Sequence, residues 1–229
     1  MAVITDPHLP LDTDDVARAC APRRGRLTSP RILDCISSVL SQMHEEQWLA
    51  PAISYRIHPI TDRAADWMEL SGRIRLNSPL LMHRLRRASS LAFGACSIGP
   101  KISQQVSDWF AGRERLKAVL LDDIGTLALF KLGDYLEALI SRQSLAMGLQ
   151  ASGTLSPGEE GFDLTAQPEV LELAGGGDIG VLVRGGSLLV PHTSTTSVIG
   201  LGEQMTSWTR DDSCAACRAR GRCPYCQIR

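Results

Sequence analysis

Four cysteines lie close together near the carboxyl end of the 229-residue chain, in the stretch CAACRARGRCPYC. They follow the pattern C-x2-C-x5-C-x2-C and are Cys214, Cys217, Cys223 and Cys226. Two close pairs of this kind can bring four thiolates to one centre, which suits tetrahedral zinc or an iron-sulfur cluster. Three arginines lie between the cysteines, and their charge would offset part of the charge of the thiolates: Arg218, Arg220 and Arg222. The pattern predicts a metal-binding tail.

The spacing between the two cysteine pairs bears on which metal the tail would hold. Zinc ribbons usually separate their pairs by about 15 to 20 residues, whereas the gap between Cys217 and Cys223 is five residues. A compact loop favours a 4Fe-4S cluster over zinc, and both remain open at this stage. An unmetallated redox or structural tail is the third possibility.

Composition and charge exclude several classes of protein. The chain has 24 basic and 25 acidic residues and a net charge of −1, so no long-range positive field would attract nucleic acid or an anionic membrane. A nucleic-acid knuckle is supported only by the arginines among the cysteines, without the broader basic stripe that such binders show. No apolar run suits a signal peptide or approaches the roughly 20 residues of a membrane span. We therefore expect a cytoplasmic protein, where clustered cysteines hold metal more often than disulfides.

Hydrophobic periodicity predicts three substantial helices. The first begins at Ser29, followed by proline at the first helical position, and runs toward Trp48. The second spans residues 100–110, and the third spans residues 116–147. Glycines at 125 and 133 within the third helix could allow another element to pack closely. A shorter fourth helix is predicted over residues 165–173, ending at three consecutive glycines.

Alternating and continuous apolar runs predict the strands. ISYRIHPI reads as a short strand in which Pro59 indicates an edge position, and SSLAFGACSIG reads as a buried strand. The stretch SGTLSPGEEGF is expected to be a loop. Two apolar runs flank RGGS and predict a hairpin, and a third strand from about Thr195 would complete an antiparallel meander.

These elements predict an α+β fold, in which a mostly antiparallel sheet packs with about four helices. Residues 1–28 carry prolines and a short acidic run, and we expect them to form a flexible arm. Residues 29–205 would form the folded domain. Residues 206–229 would form the four-cysteine tail, flexible after about Met205.

Several stretches resemble a known family. SPGEEGF, a following helix that contains Gln167, IGVLV and LLVPHTSTTSVIGLG look like the last third of the activation domain of cobalamin-dependent methionine synthase. LAFGACSIGPKISQQVSDWF and AVLLDDIGTLALFKLGDYLEALI resemble the strand and long helices that precede them. The resemblance covers roughly residues 85–229. Stand-alone relatives of that domain often end in a cysteine-rich tail as well.

The resemblance implies a function. Such domains reactivate an oxidised corrinoid: an electron reduces cob(II)alamin to cob(I)alamin, and S-adenosylmethionine then methylates it. The partners implied are a corrinoid-binding protein, such as methionine synthase or a related methyltransferase, and an electron donor such as ferredoxin or flavodoxin. An iron-sulfur tail would carry the electron. Residues expected to face the cofactor or methyl donor are Glu137, Ser156, Pro157, Gly158, Ser194 and Ser197.

One departure from the family pattern affects the methyl donor. The family's loop is similar to Arg-Pro-Ala-Pro-Gly-Tyr, in which the arginine and tyrosine help to hold S-adenosylmethionine. The matching stretch here runs from Thr154 to Glu159, and both side chains are missing. A threonine cannot form the bidentate pair that arginine makes with a carboxylate. The family's mode of binding S-adenosylmethionine is therefore not expected in this chain.

A non-catalytic role is the alternative. A zinc-stapled tail would then hold a terminal segment together, and the domain would bind a corrinoid methyltransferase as an interaction or assembly module. The identity of the metal and the ability to reduce cob(II)alamin distinguish the two functions.

Overall fold

The computed structural model describes residues 2–24, 29–215, 217, 218, 220, 222 and 223, and the side chains of residues 19–24 lie outside this description. Within these ranges the chain forms nine strands and seven α-helices. The strands are β1 Ala2–Thr5, β2 Ala52–Arg63, β3 Met68–Leu70, β4 Ile74–Leu76, β5 Ser90–Ser97, β6 Gln150–Leu155, β7 Leu182–Arg184, β8 Leu188–Val190 and β9 Ser194–Gly202. The helices are α1 Thr13–Arg24, α2 Pro30–Glu45, α3 Pro79–Arg84, α4 Lys101–Ala111, α5 Arg115–Ala146, α6 Gln167–Ala174 and α7 Arg210–Ala215.

The described strands pair antiparallel throughout, which confirms the predicted α+β class. Seven of them form one sheet in the order β4-β3-β2-β5-β9-β6, with β1 paired to β2. Helices α2, α4, α5 and α6 correspond to the four predicted helices, and α1, α3 and α7 were not predicted. In the described part of the chain, no helix is long and apolar enough to cross a membrane.

The central strand β5 separates two apolar layers. Successive side chains of a strand point to opposite faces, so Ala92 and Cys96 join the layer beneath α2 and α5. Leu91 and Phe93 join the layer beneath α3 and α6. All four residues are almost completely buried.

Glycines let the long helix α5 approach its neighbours closely. A side chain at Gly94 of β5 would collide with Leu136 of α5. A methyl group at Gly125 would lie 2.9 Å from Cγ2 of Ile102 on α4, which confirms the expected close packing at this glycine. By contrast, Gly133 faces open space. The helix runs without interruption through both of its glycines.

The edge position predicted from Pro59 is wrong, because β2 lies between β5 on one side and β1 and β3 on the other. The amide of Ile60 donates to Ser89 beside β5, so the preceding nitrogen, at Pro59, points the opposite way. On that side β1 pairs only as far as Tyr55, and β3 pairs from Ile60 onward. Proline is tolerated in this central strand because its nitrogen falls between the two partners.

The predicted hairpin is present, but the meander is wrong. Strands β7 and β8 flank a turn in which Gly185 and Gly186 have φ values of 58° and 89°. They form a separate two-stranded sheet. The expected third strand, β9, pairs with β5 and β6 instead. Residues 152–155 of the expected loop belong instead to the edge strand β6, Gln150–Leu155.

The amino-terminal segment differs from the expected flexible arm. Strand β1 pairs with β2 in register from Ala2 opposite Tyr55. Val16 of α1 is fully buried in the layer beneath α5. Lys131 of α5 donates a 2.6 Å hydrogen bond to the carbonyl of Pro10 and forms an ion pair with Asp15. A few buried and charged contacts thus hold a segment whose overall composition is polar.

Candidate functional site

An inner cavity of about 190 Å³ lies between α5, the strands β6 and β9, and the polypeptide that follows β9. The residues that enclose this cavity come from distant parts of the sequence. Residues important to its chemistry are Cys96, Asp134, Glu137, Thr154, Ser197 and Arg210. Gly133 also borders it, and the missing side chain there leaves space beside the helix.

Hydrogen bonds order the polar wall of the inner cavity. The hydroxyl of Thr154 on β6 donates to Oε2 of Glu137 on α5 over 2.6 Å. The amide of Ser156 donates to Oε1 of Glu159 over 2.6 Å. Both carboxylates retain further lone pairs that can accept hydrogen bonds from a ligand.

The acidic side chains give the inner cavity an electrostatic preference. Burial raises the pKa of Glu159, although the Ser156 amide and the nearby Arg84 act in the opposite direction. Partial desolvation also raises the pKa of Asp134, although this carboxylate stays substantially exposed and Arg210 and Lys131 act in the opposite direction. Together with Glu137, these carboxylates favour a positively charged or hydrogen-bond-donating group.

A thiol lies on the floor of the inner cavity. Cys96 is 1% exposed and lies opposite Thr195 in the register of β5 and β9. Its Sγ is 3.9 Å from the carbonyl of Leu132, to which it donates a weak hydrogen bond. Burial raises the pKa of this thiol to about 12, so it stays protonated near neutral pH.

Residues 206–215, which we call the strap, cross the mouth of the inner cavity. Trp208 packs against Gly153 of β6 so closely that a methyl group at Gly153 would lie 2.5 Å from the indole ring. The guanidinium of Arg84 lies 4.9 Å from the centre of the Trp208 ring. Arg210 forms an ion pair with Asp134 and lies 4.5 Å from the centre of the Phe130 ring. The flexible tail expected after Met205 is therefore packed onto the domain as far as residue 215.

An outer cleft of about 480 Å³ adjoins the inner cavity along α5. It is lined by Glu137, Ala138 and Ser141 of the helix and by Cys214 of the strap. The first predicted metal ligand thus lies on the wall of a cleft that continues from the inner cavity.

The structure brings together some of the predicted site residues. Glu137, Ser156 and Ser197 all line the inner cavity. Ser194 lies on the other face of β9, where its hydroxyl donates to Ser97 over 3.0 Å. Gly158 borders a different cleft, of about 560 Å³, beside α3. Pro157 is not among the described residues that line the inner cavity or the outer cleft.

The tail cysteines are described in part. Cys214 and Cys223 are half-buried and Cys217 is exposed, while Cys226 lies outside the described residues. Arg218 forms an ion pair with Glu160, which follows the Ser156 loop. The donor set of four thiolates fits either zinc or an iron-sulfur cluster, and this fit remains a prediction.

Two functional candidates were missed in the sequence. Asp134 lies one helical turn before Glu137 on α5, and residues three apart share a helix face, so the spacing could have indicated it. Arg210 had no such signal. Its role depends on the strap returning to α5, which places a guanidinium in the inner cavity beside Asp134.

Comparison with known proteins establishes the fold. No family model and no curated protein matches the sequence. The structure is similar to one described as the crystal structure of the MetH reactivation domain bound to AdoHcy, with a TM-score of 0.64 and 11% sequence identity. The match covers 96% of this chain and 85% of that chain. At this identity the likeness shows a common fold.

Proposed function

We propose that this protein takes part in the reductive reactivation of a corrinoid protein, such as a cobalamin-dependent methionine synthase or a related methyltransferase. The observation that carries the proposal is the fold shared with the MetH reactivation domain over 96% of the chain. Reactivation adds one electron to cob(II)alamin, giving cob(I)alamin, and a methyl group is then transferred to cobalt. The corrinoid would be held by the partner protein and presented to this chain.

The cysteine tail would be the route of the electron. Cys214, Cys217, Cys223 and Cys226 would hold an iron-sulfur cluster, which supplies a low-potential electron when bound. The position of Cys214 on the outer cleft supports this role, because it joins the tail to the groove that holds Glu137. A donor such as ferredoxin or flavodoxin would dock near the arginines of the tail. Arg218 and Arg220 are both exposed.

The inner cavity would bind part of a methyl donor. The neighbour's AdoHcy is what remains of S-adenosylmethionine after methyl transfer. A sulfonium or ammonium group would be favoured beside Glu137, Asp134 and Glu159. Thr154 orients the Glu137 carboxylate, and Ser197 offers a hydroxyl from β9. This arrangement differs from the family's arginine and tyrosine contacts.

Anaerobic purification of the full chain tests the electron route. We expect iron and sulfide in equal amounts, a brown colour, and reduction of cob(II)alamin when reduced ferredoxin is supplied. Cys217→Ser and Cys223→Ser should each lower the rate of cobalt reduction at least about tenfold, since four-cysteine clusters depend on every ligand. Cys35→Ser, which changes a half-buried cysteine of α2, is the matched control and should retain the rate.

Two results would contradict this proposal. One is an unchanged rate of cobalt reduction in both tail variants. The other is a colourless protein that contains one zinc ion per chain, which would instead support a zinc-stapled interaction module for a corrinoid methyltransferase.

A further inference from the structure

We propose that the strap, residues 206–215, is a gate that divides one continuous groove along α5 into the inner cavity and the outer cleft. In this proposal a ligand enters the inner cavity when the strap moves away from α5. The proposal goes beyond reactivation, because it concerns access to the cavity whatever ligand or metal the protein uses.

The lining of the two spaces shows how the groove is divided. The inner cavity and the outer cleft share Asp134 and Glu137 on α5, and Thr209 and Arg210 on the strap. The helix thus forms a wall common to both spaces, and the strap is the partition between them. With the strap in place the inner cavity measures about 190 Å³, below the roughly 300 to 1,000 Å³ typical of small-molecule sites. The outer cleft adds about 480 Å³, so removal of the partition gives a groove of ordinary ligand-binding size.

The strap is organised as a unit of its own. The amide of Ser213 donates to the carbonyl of Thr209, and Asp212 accepts hydrogen bonds from both the amide and the hydroxyl of Thr209. These bonds stay within the strap, so the strap can move without breaking them. Met205, 8% exposed, anchors the chain just before it. Thr206 and Ser207 are exposed and have no regular secondary structure, so they are suited to act as the hinge.

Trp208 and Arg210 make the principal described contacts between the strap and the domain. They are the Arg210 ion pair with Asp134, the contacts of Arg210 with the ring and carbonyl of Phe130, the packing of Trp208 on Gly153, and the Arg84 guanidinium beside the Trp208 ring. Both partners of the ion pair are substantially exposed, so its contribution is modest. Closure also leaves the buried Nε1 of Trp208 without a hydrogen-bond partner among the described residues, a cost that opening would relieve. Because these contacts contribute little stability, the strap is suited to open.

Gate opening has two consequences in the structure. It exposes Cys96 on the floor of the inner cavity, where the thiol is now shielded from solvent. It also moves Cys214, which belongs to the strap, away from Glu137 and Ser141. The position of the cysteine tail and access to the cavity therefore change together.

Alkylation of Cys96 measures the gate directly. The full chain is treated with N-ethylmaleimide near neutral pH, and initial labelling rates of Cys96 and Cys35 are read by peptide mass spectrometry. Arg210→Gln removes the ion pair, and Gly153→Ala displaces Trp208 by steric overlap. We expect each variant to raise the ratio of Cys96 to Cys35 labelling by about tenfold, as local opening does for a protected group. Arg142→Gln, on an exposed part of α5, is the control and should leave the ratio unchanged.

The ratio separates gating from general unfolding, because loss of the fold accelerates labelling of both thiols. A ratio that stays at the wild-type value in both Arg210→Gln and Gly153→Ala overturns the gate. The measurement needs no corrinoid, methyl donor or electron donor. Its failure would therefore leave the proposed reactivation function standing, and failure of cobalt reduction would leave the gate standing.

Discussion

The hydroxyl of Thr154 donates a 2.6 Å hydrogen bond to the carboxylate of Glu137, which joins the edge strand β6 to the long helix α5 at the wall of the inner cavity. Thr154 thus holds a carboxylate of its own chain, so this wall of the inner cavity presents an oriented carboxylate.

Removal of the Thr154 hydroxyl should destabilise the protein. Thr154→Val keeps the shape of the side chain and leaves the half-buried Glu137 carboxylate without this donor. We expect a loss of about 1 kcal/mol in the free energy of unfolding, measured by urea denaturation. Thr154→Ser, which retains the hydroxyl, should lose less than half of that. Equal stability of Thr154→Val and the wild-type protein would show that the bond contributes nothing.

The two glycines of α5 should respond in opposite ways to replacement by alanine. At Gly125 the new methyl group would lie 2.9 Å from Ile102, so Gly125→Ala should cost about 1 to 3 kcal/mol by overpacking. At Gly133 the methyl group would enter open space, so Gly133→Ala should gain about 0.5 to 1 kcal/mol from helix propensity. Thermal unfolding of both variants provides the measurement. The same sign of change in both would contradict this packing.

The half-buried carboxyl of Glu159 should make the stability of the protein depend on pH. Burial raises its pKa above the ordinary value of 4.5, so the folded protein binds this proton more tightly than the unfolded chain. Ionised Glu159 therefore destabilises the fold above its raised pKa, and this penalty disappears as pH falls below 4.5. Glu159→Gln should unfold at a higher temperature than the wild-type protein near pH 7, with the difference shrinking toward zero at acid pH. A difference independent of pH would refute the assignment.

The amino-terminal helix should contribute to stability. Val16 is fully buried, so Val16→Ala should lower the free energy of unfolding by about 2 kcal/mol. Val3 of β1 is 42% exposed and provides the matched control, since Val3→Ala should cost less than about 0.5 kcal/mol. Chemical denaturation of both variants measures these changes in the free energy of unfolding. A negligible effect of Val16→Ala would support a detachable arm.

Local patterns predicted the elements whose signals are strong and near in sequence. The helix beginning at Pro30 has a proline at its first position and apolar residues at helical spacing, and the hairpin has two glycines that reach positive φ. The long helix was predicted within one residue at each end. These features depend on neighbouring residues, which the sequence displays directly.

Partners in a sheet are set by contacts between distant residues. Nothing near Pro59 indicates that β1 ends at Tyr55 and β3 begins opposite Ile60, although this gap is what admits a proline to a central strand. The pairing of β9 with β5 likewise depends on the whole fold. For that reason the sequence predicted the strands better than their order.

The candidate site, like the sheet, was predicted only in part. Glu137, Ser156 and Ser197 were identified through a resemblance and share the inner cavity. Ser194 lies one strand position from the correct face, because alternate residues of β9 point to opposite layers. The position of Arg210 and the strap could not be predicted, because the sequence of a polar segment does not indicate the surface on which it packs.

The sheet serves as a partition between two apolar compartments, one beneath α5 and one beneath α6. Neighbouring residues of β5, such as Ala92 and Phe93, therefore pack in different compartments. Residues of the compartment that carries the inner cavity can therefore be changed while the residues of the opposite compartment are kept. A library built on this protein could vary the residues that line the inner cavity and keep tightly packed positions such as Gly125 and Val16 fixed.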